Sequence, residues 1–91
     1  MANKLWEIMP PTHLDGALVL FWAEGNFGTC IDDAPVVALA IARYDSDPQI
    51  YLFACDKDWR VRGDLAYSSI SSAQQDAERY YEVSPIRWQA P

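Results

Sequence analysis

Residues that carry chemistry are scarce in this sequence. It holds one histidine and two cysteines among 91 residues. A zinc site asks for four ligands enriched in those two types. His13, Cys30 and Cys55 are too few and too scattered to form one. The same scarcity argues against a nucleophile beside a general base, because His13 is the sole imidazole. Basic residues are also few, seven against thirteen acidic, for a net charge of −6 and a pI near 4.4. Phosphate backbones and anionic membranes are recognised through positive charge. No nucleic-acid partner and no membrane association is therefore expected. The longest apolar run, residues 17–23, falls far short of the roughly twenty residues that span a bilayer. Met1 to Glu7 lacks a basic stretch followed by an apolar segment, so no signal peptide is expected. Cytoplasm is the expected location, with Cys30 and Cys55 as free thiols.

The loops add no cofactor signature. Gly25-Asn26-Phe27-Gly28 has neither the glycine spacing nor the lysine of a phosphate cradle. Asp45-Ser46-Asp47 and Asp56-Lys57-Asp58 do not continue to the glycine and distal glutamate of a calcium loop. No cofactor and no metal is expected.

What is present is a globular composition. Hydrophobic residues make up 51% and charged residues 22%, enough to build one core and to argue against disorder. The length suits a single domain over residues 1–91. Four tryptophans and five tyrosines supply large apolar areas, each with a polar atom to satisfy if buried.

Leu5-Trp6-Glu7-Ile8 reads as a short edge strand ended by Pro10-Pro11. Residues 17–23, between Gly16 and Gly25, suit a buried strand. A helix is the rival, since Thr12 and Asp15 have capping-box-like spacing and Gly25 could end it. Residues 24–33 read as a loop. From Val36 to Arg43 the side chains alternate in size, with Val37, Leu39 and Ile41 on one face and Ala38, Ala40 and Ala42 on the other. The turn Asp45-Ser46-Asp47-Pro48 joins this strand to a second, residues 49–55. After Asp56-Lys57-Asp58, Trp59-Arg60-Val61-Arg62 alternates as a half-wet strand that Gly63-Asp64 should stop. Beyond it Ile70, Ala73, Ala77, Tyr80 and Tyr81 recur at helical spacing. Ser69 is the candidate N-cap, and Pro85 should lie beyond the helix. Ile86-Arg87-Trp88 has room for one short terminal strand. The expected fold is α+β: a mainly antiparallel sheet of about four to six strands with one C-terminal helix packed on it.

Three acidic pairs fall in the expected loops: Asp32-Asp33, Asp45/Asp47 and Asp56/Asp58. Trp59 beside Asp58 combines an aromatic anchor with an acidic rim, as binding hot spots do. Asp32, Asp33, Asp56, Asp58 and Trp59 are the candidate partner-binding residues. The competing reading makes the aspartates turn formers and Trp59 a packed residue.

Tyr51-Leu52-Phe53-Ala54-Cys55-Asp56-Lys57-Asp58-Trp59, then Gly63-Asp64 and a capped helix ending in Tyr80-Tyr81-Glu82, resembles a pattern in small bacterial proteins of uncharacterised function. The resemblance covers about 35 C-terminal residues and implies no catalytic residues. In size and acidity the chain is also similar to immunity proteins, which neutralise toxins by occluding their active sites. Three readings follow. One is a non-catalytic module binding a basic protein. The second is a homo-oligomer covering an exposed strand edge. The third is a ligand binder or enzyme with His13, Cys30 or Tyr80 in a pocket between helix and sheet.

Overall fold

A computed structural model describes residues 9–25, 27–81 and 85–91. The expected strand at residues 5–8 lies outside them.

Among the described residues seven strands and one helix follow in order. β1 (His13–Leu14) and β2 (Ala17–Glu24) form a hairpin through Asp15-Gly16, which take φ of 50° and 85°. Two successive positive φ values make the mirror-image turn that matches strand twist, and Asp-Gly is among its preferred sequences. Asp15 therefore reverses the chain instead of capping a helix, and residues 17–24 are strand. β3 (Cys30–Ile31) and β4 (Ala34–Pro35) form a second, very short hairpin within the span read as loop. Its turn residues, Asp32 and Asp33, take φ of 53° and 66°. β5 (Ala38–Arg43), β6 (Ile50–Cys55) and β7 (Val61–Tyr67) form the expected meander. The five-stranded antiparallel sheet has the order β1-β2-β5-β6-β7 and is curled, with one helix on it.

Helix α1 (Ile70–Tyr81) begins where Ser69 Oγ accepts the Ser72 amide at 3.0 Å, the expected N-cap. Ala73 and Ala77 are fully buried and bring α1 close to β6 and β7. Tyr67 Oη donates to Asp76 and ties the edge strand to the helix. Tyr80, expected on the buried stripe, is instead 65% exposed. The C-terminal strand reduces to a bridge in which Trp22 and Gln89 exchange backbone hydrogen bonds of 2.9 and 2.8 Å.

The size alternation along β5 sorts the core into two layers. Leu39 and Ile41 join Leu52, Ala54, Ala73, Ala77 and Tyr81 under the helix. Ala38, Ala40 and Ala42 join Val19, Trp22, Phe53 and Cys55 on the other face. There the alanines are covered by neighbouring side chains in the same sheet. Cross-strand rows run Trp22-Ala40-Phe53 and Val19-Ala42-Tyr51, large beside small beside large. Tyr44, Tyr51 and Trp59 pack around this layer, so a sheet with its helix on one side buries both faces.

One strand departs from expectation. β7 starts at Val61 and runs through Gly63-Asp64 to Tyr67. Trp59 lies before it at φ 61°, a conformation that bends the chain and is uncommon for a bulky residue. Gly63 does not stop the strand. A Cβ there would lie 3.1 Å from Ile31 Cδ1, so the missing side chain lets the β3–β4 hairpin lie on the sheet.

Candidate functional site

Asp56 follows β6 and is buried, and the loop after it folds around its carboxylate. Its Oδ1 accepts the amides of Asp58 at 2.9 Å and Arg60 at 3.0 Å, and its Oδ2 accepts Arg62 Nε at 2.9 Å. The backbone closes the same loop. Trp59 N–H donates to the Asp56 carbonyl at 3.0 Å, and Asp56 N–H to the Arg60 carbonyl at 3.1 Å. Asp56 is only 6% exposed. Burial acts to raise its carboxyl, but the Arg60 and Asp58 amides and the Arg62 guanidinium outweigh it. Its pKa therefore lies below the ordinary carboxylate value. Asp56 is thus an internal strut and is not available as an acidic rim.

Beside this loop lies a hollow of about 270 Å³ lined by Ala34, Pro35, Val37, Asp56, Lys57, Asp58 and Arg62. The aliphatic wall comes from β4 and its exit. Val37 N–H donates to the Cys55 carbonyl at 3.0 Å, which fixes that wall against the end of β6. Lys57 and Asp58 are exposed. Asp32 and Asp33, also exposed, occupy the turn of the hairpin whose second strand lines the hollow. The structure therefore groups Asp58 with the hairpin that carries Asp32 and Asp33. Asp45 and Asp47 belong to the β5–β6 turn at the opposite end of the sheet, where Asp47 accepts Gln49 N–H at 2.9 Å and Tyr51 Oη at 2.8 Å.

Trp59 does not face this hollow. Its ring meets Trp22 edge-on at 5.9 Å and packs in the alanine-rich layer. Trp59 is half-buried here, with its backbone at φ 61° and its ring against that layer rather than on the hollow's lining.

A larger open groove of about 450 Å³ is lined by Phe27, Gly28, Thr29, Tyr80 and Tyr81, with no charged side chain among them. Of the reactive residues, His13 stands on β1, where Thr12 Oγ1 lies 3.1 Å from its Nδ1. Tyr80 lies by Gly63 and Leu65 on β7, the opposite sheet edge, so those two share no pocket. Burial, assisted by the Asp56 and Asp15 carboxylates, pushes the Cys55 thiol up to about 12. It is a neutral packed group at physiological pH.

An α+β fold with a charged-rimmed apolar hollow at one end of its sheet is what the geometry defines. No protein-family model matches the chain, and no curated protein or solved structure is significantly similar to it.

Proposed function

We propose that this chain is a non-catalytic protein-binding module whose partner is basic, in the manner of an acidic inhibitor of a toxin. The observation that carries this reading is the Asp56-braced loop. It holds Asp58 on the lining of an aliphatic hollow together with Lys57 and Arg62, and the wall formed by Ala34 and Pro35 continues from the turn of Asp32 and Asp33. A basic side chain can lay its methylene stem on Pro35 and Val37 and place its charge toward Asp58. Because the loop is already held by hydrogen bonds, little ordering is required on binding. The excess of acidic residues, −6 overall, favours fast encounter with a positive partner.

The test is retrieval of bound proteins from the native host at low salt. Wild-type chain is compared with the triple substitution Asp32→Asn, Asp33→Asn, Asp58→Asn. A basic protein held at fixed stoichiometry by wild type alone supports the reading. Equal retention by both chains removes the acidic face from it.

A further inference from the structure

The two edges of the sheet are finished differently. At one edge, two-residue β1 and the Gln89 bridge cover part of β2. At the other, β7 pairs with β6 only, and no described residue pairs with its outer side. Of the usual guards of an exposed edge, it has the charges of Arg62 and Asp64 and the irregularity before Gly63, but no proline and no lysine, and beyond Asp64 it is unguarded.

The outward groups of β7 can be identified. The Cys55 carbonyl points to the β5 side, where it accepts Val37 N–H. Polar groups of successive strand residues point to alternate edges, so Ala54 and Leu52 face β7. Their partners Gly63 and Leu65 face back toward β6. Asp64 and Ala66 between them direct N–H and C=O outward.

We propose that this edge pairs with β7 of a second copy, antiparallel about a two-fold axis through Leu65, to make a continuous ten-stranded sheet.

Three registers deserve comparison because each keeps the faces of the two sheets aligned. An axis through Asp64 sets two carboxylates directly opposite, which is repulsive. An axis through Gly63 runs the pairing into the irregularity where Cys55 pairs with Val61 and Ala54 with Gly63, and bulges end regular pairing. An axis through Leu65 avoids both. Asp64 then exchanges N–H···O bonds with Ala66 of the copy, and Ala66 with its Asp64. Leu65 meets Leu65 across the wider-spaced pair, where side chains come closest. Gly63 faces Tyr67 of the copy, so an aromatic ring flanks the glycine and the hollow that opens beside it and Ile31. That hollow, about 140 Å³, is lined by Gly63, Leu65 and Tyr80 among others.

A second copy fits better than an arbitrary extended peptide because the strand complements itself in the register its own free groups dictate. It also covers Leu65 and Tyr80, exposed by 46% and 65%. The apolar area gained is small, on the order of a few hundred Å². That is below the roughly 1,000 Å² of a stable interface, so the dimer is a weak one. Two chains of −6 charge repel, so added salt tightens this dimer. It would loosen a complex with a basic partner, which keeps this proposal separable from the one above.

Sedimentation velocity on the purified chain, from about 5 µM to about 1 mM at low and high salt, tests it. Wild type should move from monomer mass toward dimer mass, more so at high salt. Ala66→Pro removes two of the intermolecular hydrogen bonds, at roughly tenfold each, and should weaken association by about 100-fold. It should keep the wild-type circular dichroism, since the Ala66 N–H points away from β6. Leu65→Lys, at an exposed position, should also stay monomeric and serves if the proline variant misfolds. A wild type that remains monomeric at about 1 mM, or a folded Ala66→Pro chain that dimerises as wild type does, overturns the proposal.

Discussion

Asp56 carries more of the local structure than any other charged residue described. Two amides and a guanidinium converge on its carboxylate, and Trp59 stays in a left-handed conformation because the loop closes around it. Asp56→Asn should cost about 2–3 kcal/mol, since one side-chain oxygen is replaced by a donor facing the guanidinium. Denaturant unfolding measures this as a lower midpoint with unchanged slope. The pH dependence has a definite sign. The native carboxyl sits below its ordinary value of 3.8, so its stabilisation is present above that pH. It is lost as pH falls through the lower native value. Wild type should therefore lose stability below about pH 4 more steeply than Asp56→Asn. At the alkaline end Cys55 acts in the opposite sense. Its pKa rises from 9.0 to about 12, and a raised pKa stabilises the fold below the unfolded value. That contribution is lost as pH rises between about 9 and 12, an amount on the order of 4 kcal/mol. Cys55→Ala should flatten this loss in urea unfolding measured across that range. Tyr67, also raised to about 12 by burial and by its bond to Asp76, should leave a residual slope in that variant.

Among the elements, β5 decides the architecture. Its alternation of large and small side chains is plain in the sequence, and so were the two faces it serves from Ala38 on; Val37, expected beside Leu39 and Ile41, precedes the strand and lines the hollow, and Val36 joins their layer instead. What the alanine face packs against was not plain. Among the described residues, Trp22 and Phe53 flank Ala40 on that face from the neighbouring strands. Ala40 is fully buried between those rings. Ala40→Leu should thus overpack the layer and destabilise the fold by about 1–3 kcal/mol, read from thermal unfolding. The long strands and the helix were legible because several turns of one period accumulate in each. The β3–β4 hairpin was not, because two-residue strands have no period to read. Asp15-Gly16 did carry a hairpin signal, and its resemblance to a helix cap hid it. Trp59-Arg60-Val61-Arg62 alternates like a strand, yet its first residue belongs to the turn. The Asp-x-Asp spacing at 56–58, where a carboxylate can accept the amide two residues on, was the signal for that turn.

For the whole molecule, charge is the property most open to experiment. Of the five residues expected to contact a partner, the fold leaves Asp32, Asp33 and Asp58 exposed near one hollow. It commits Asp56 to the interior and packs a half-buried Trp59 against the alanine-rich layer. Sequence could rank these residues as loop acids but could not separate a strut from a rim, since that depends on how the loop closes on itself. Among the described residues no helix is long and apolar enough to cross a membrane. The central claim, that Asp32, Asp33 and Asp58 draw in a basic partner, concerns the rate of encounter above all. The most direct measurement is the association rate of the captured basic partner with wild type and with the triple asparagine variant, taken across a salt series. The rate for wild type should fall steeply as salt rises, and the variant should be slower at low salt with a shallower dependence. Equal rates and equal salt slopes for the two chains would contradict the account.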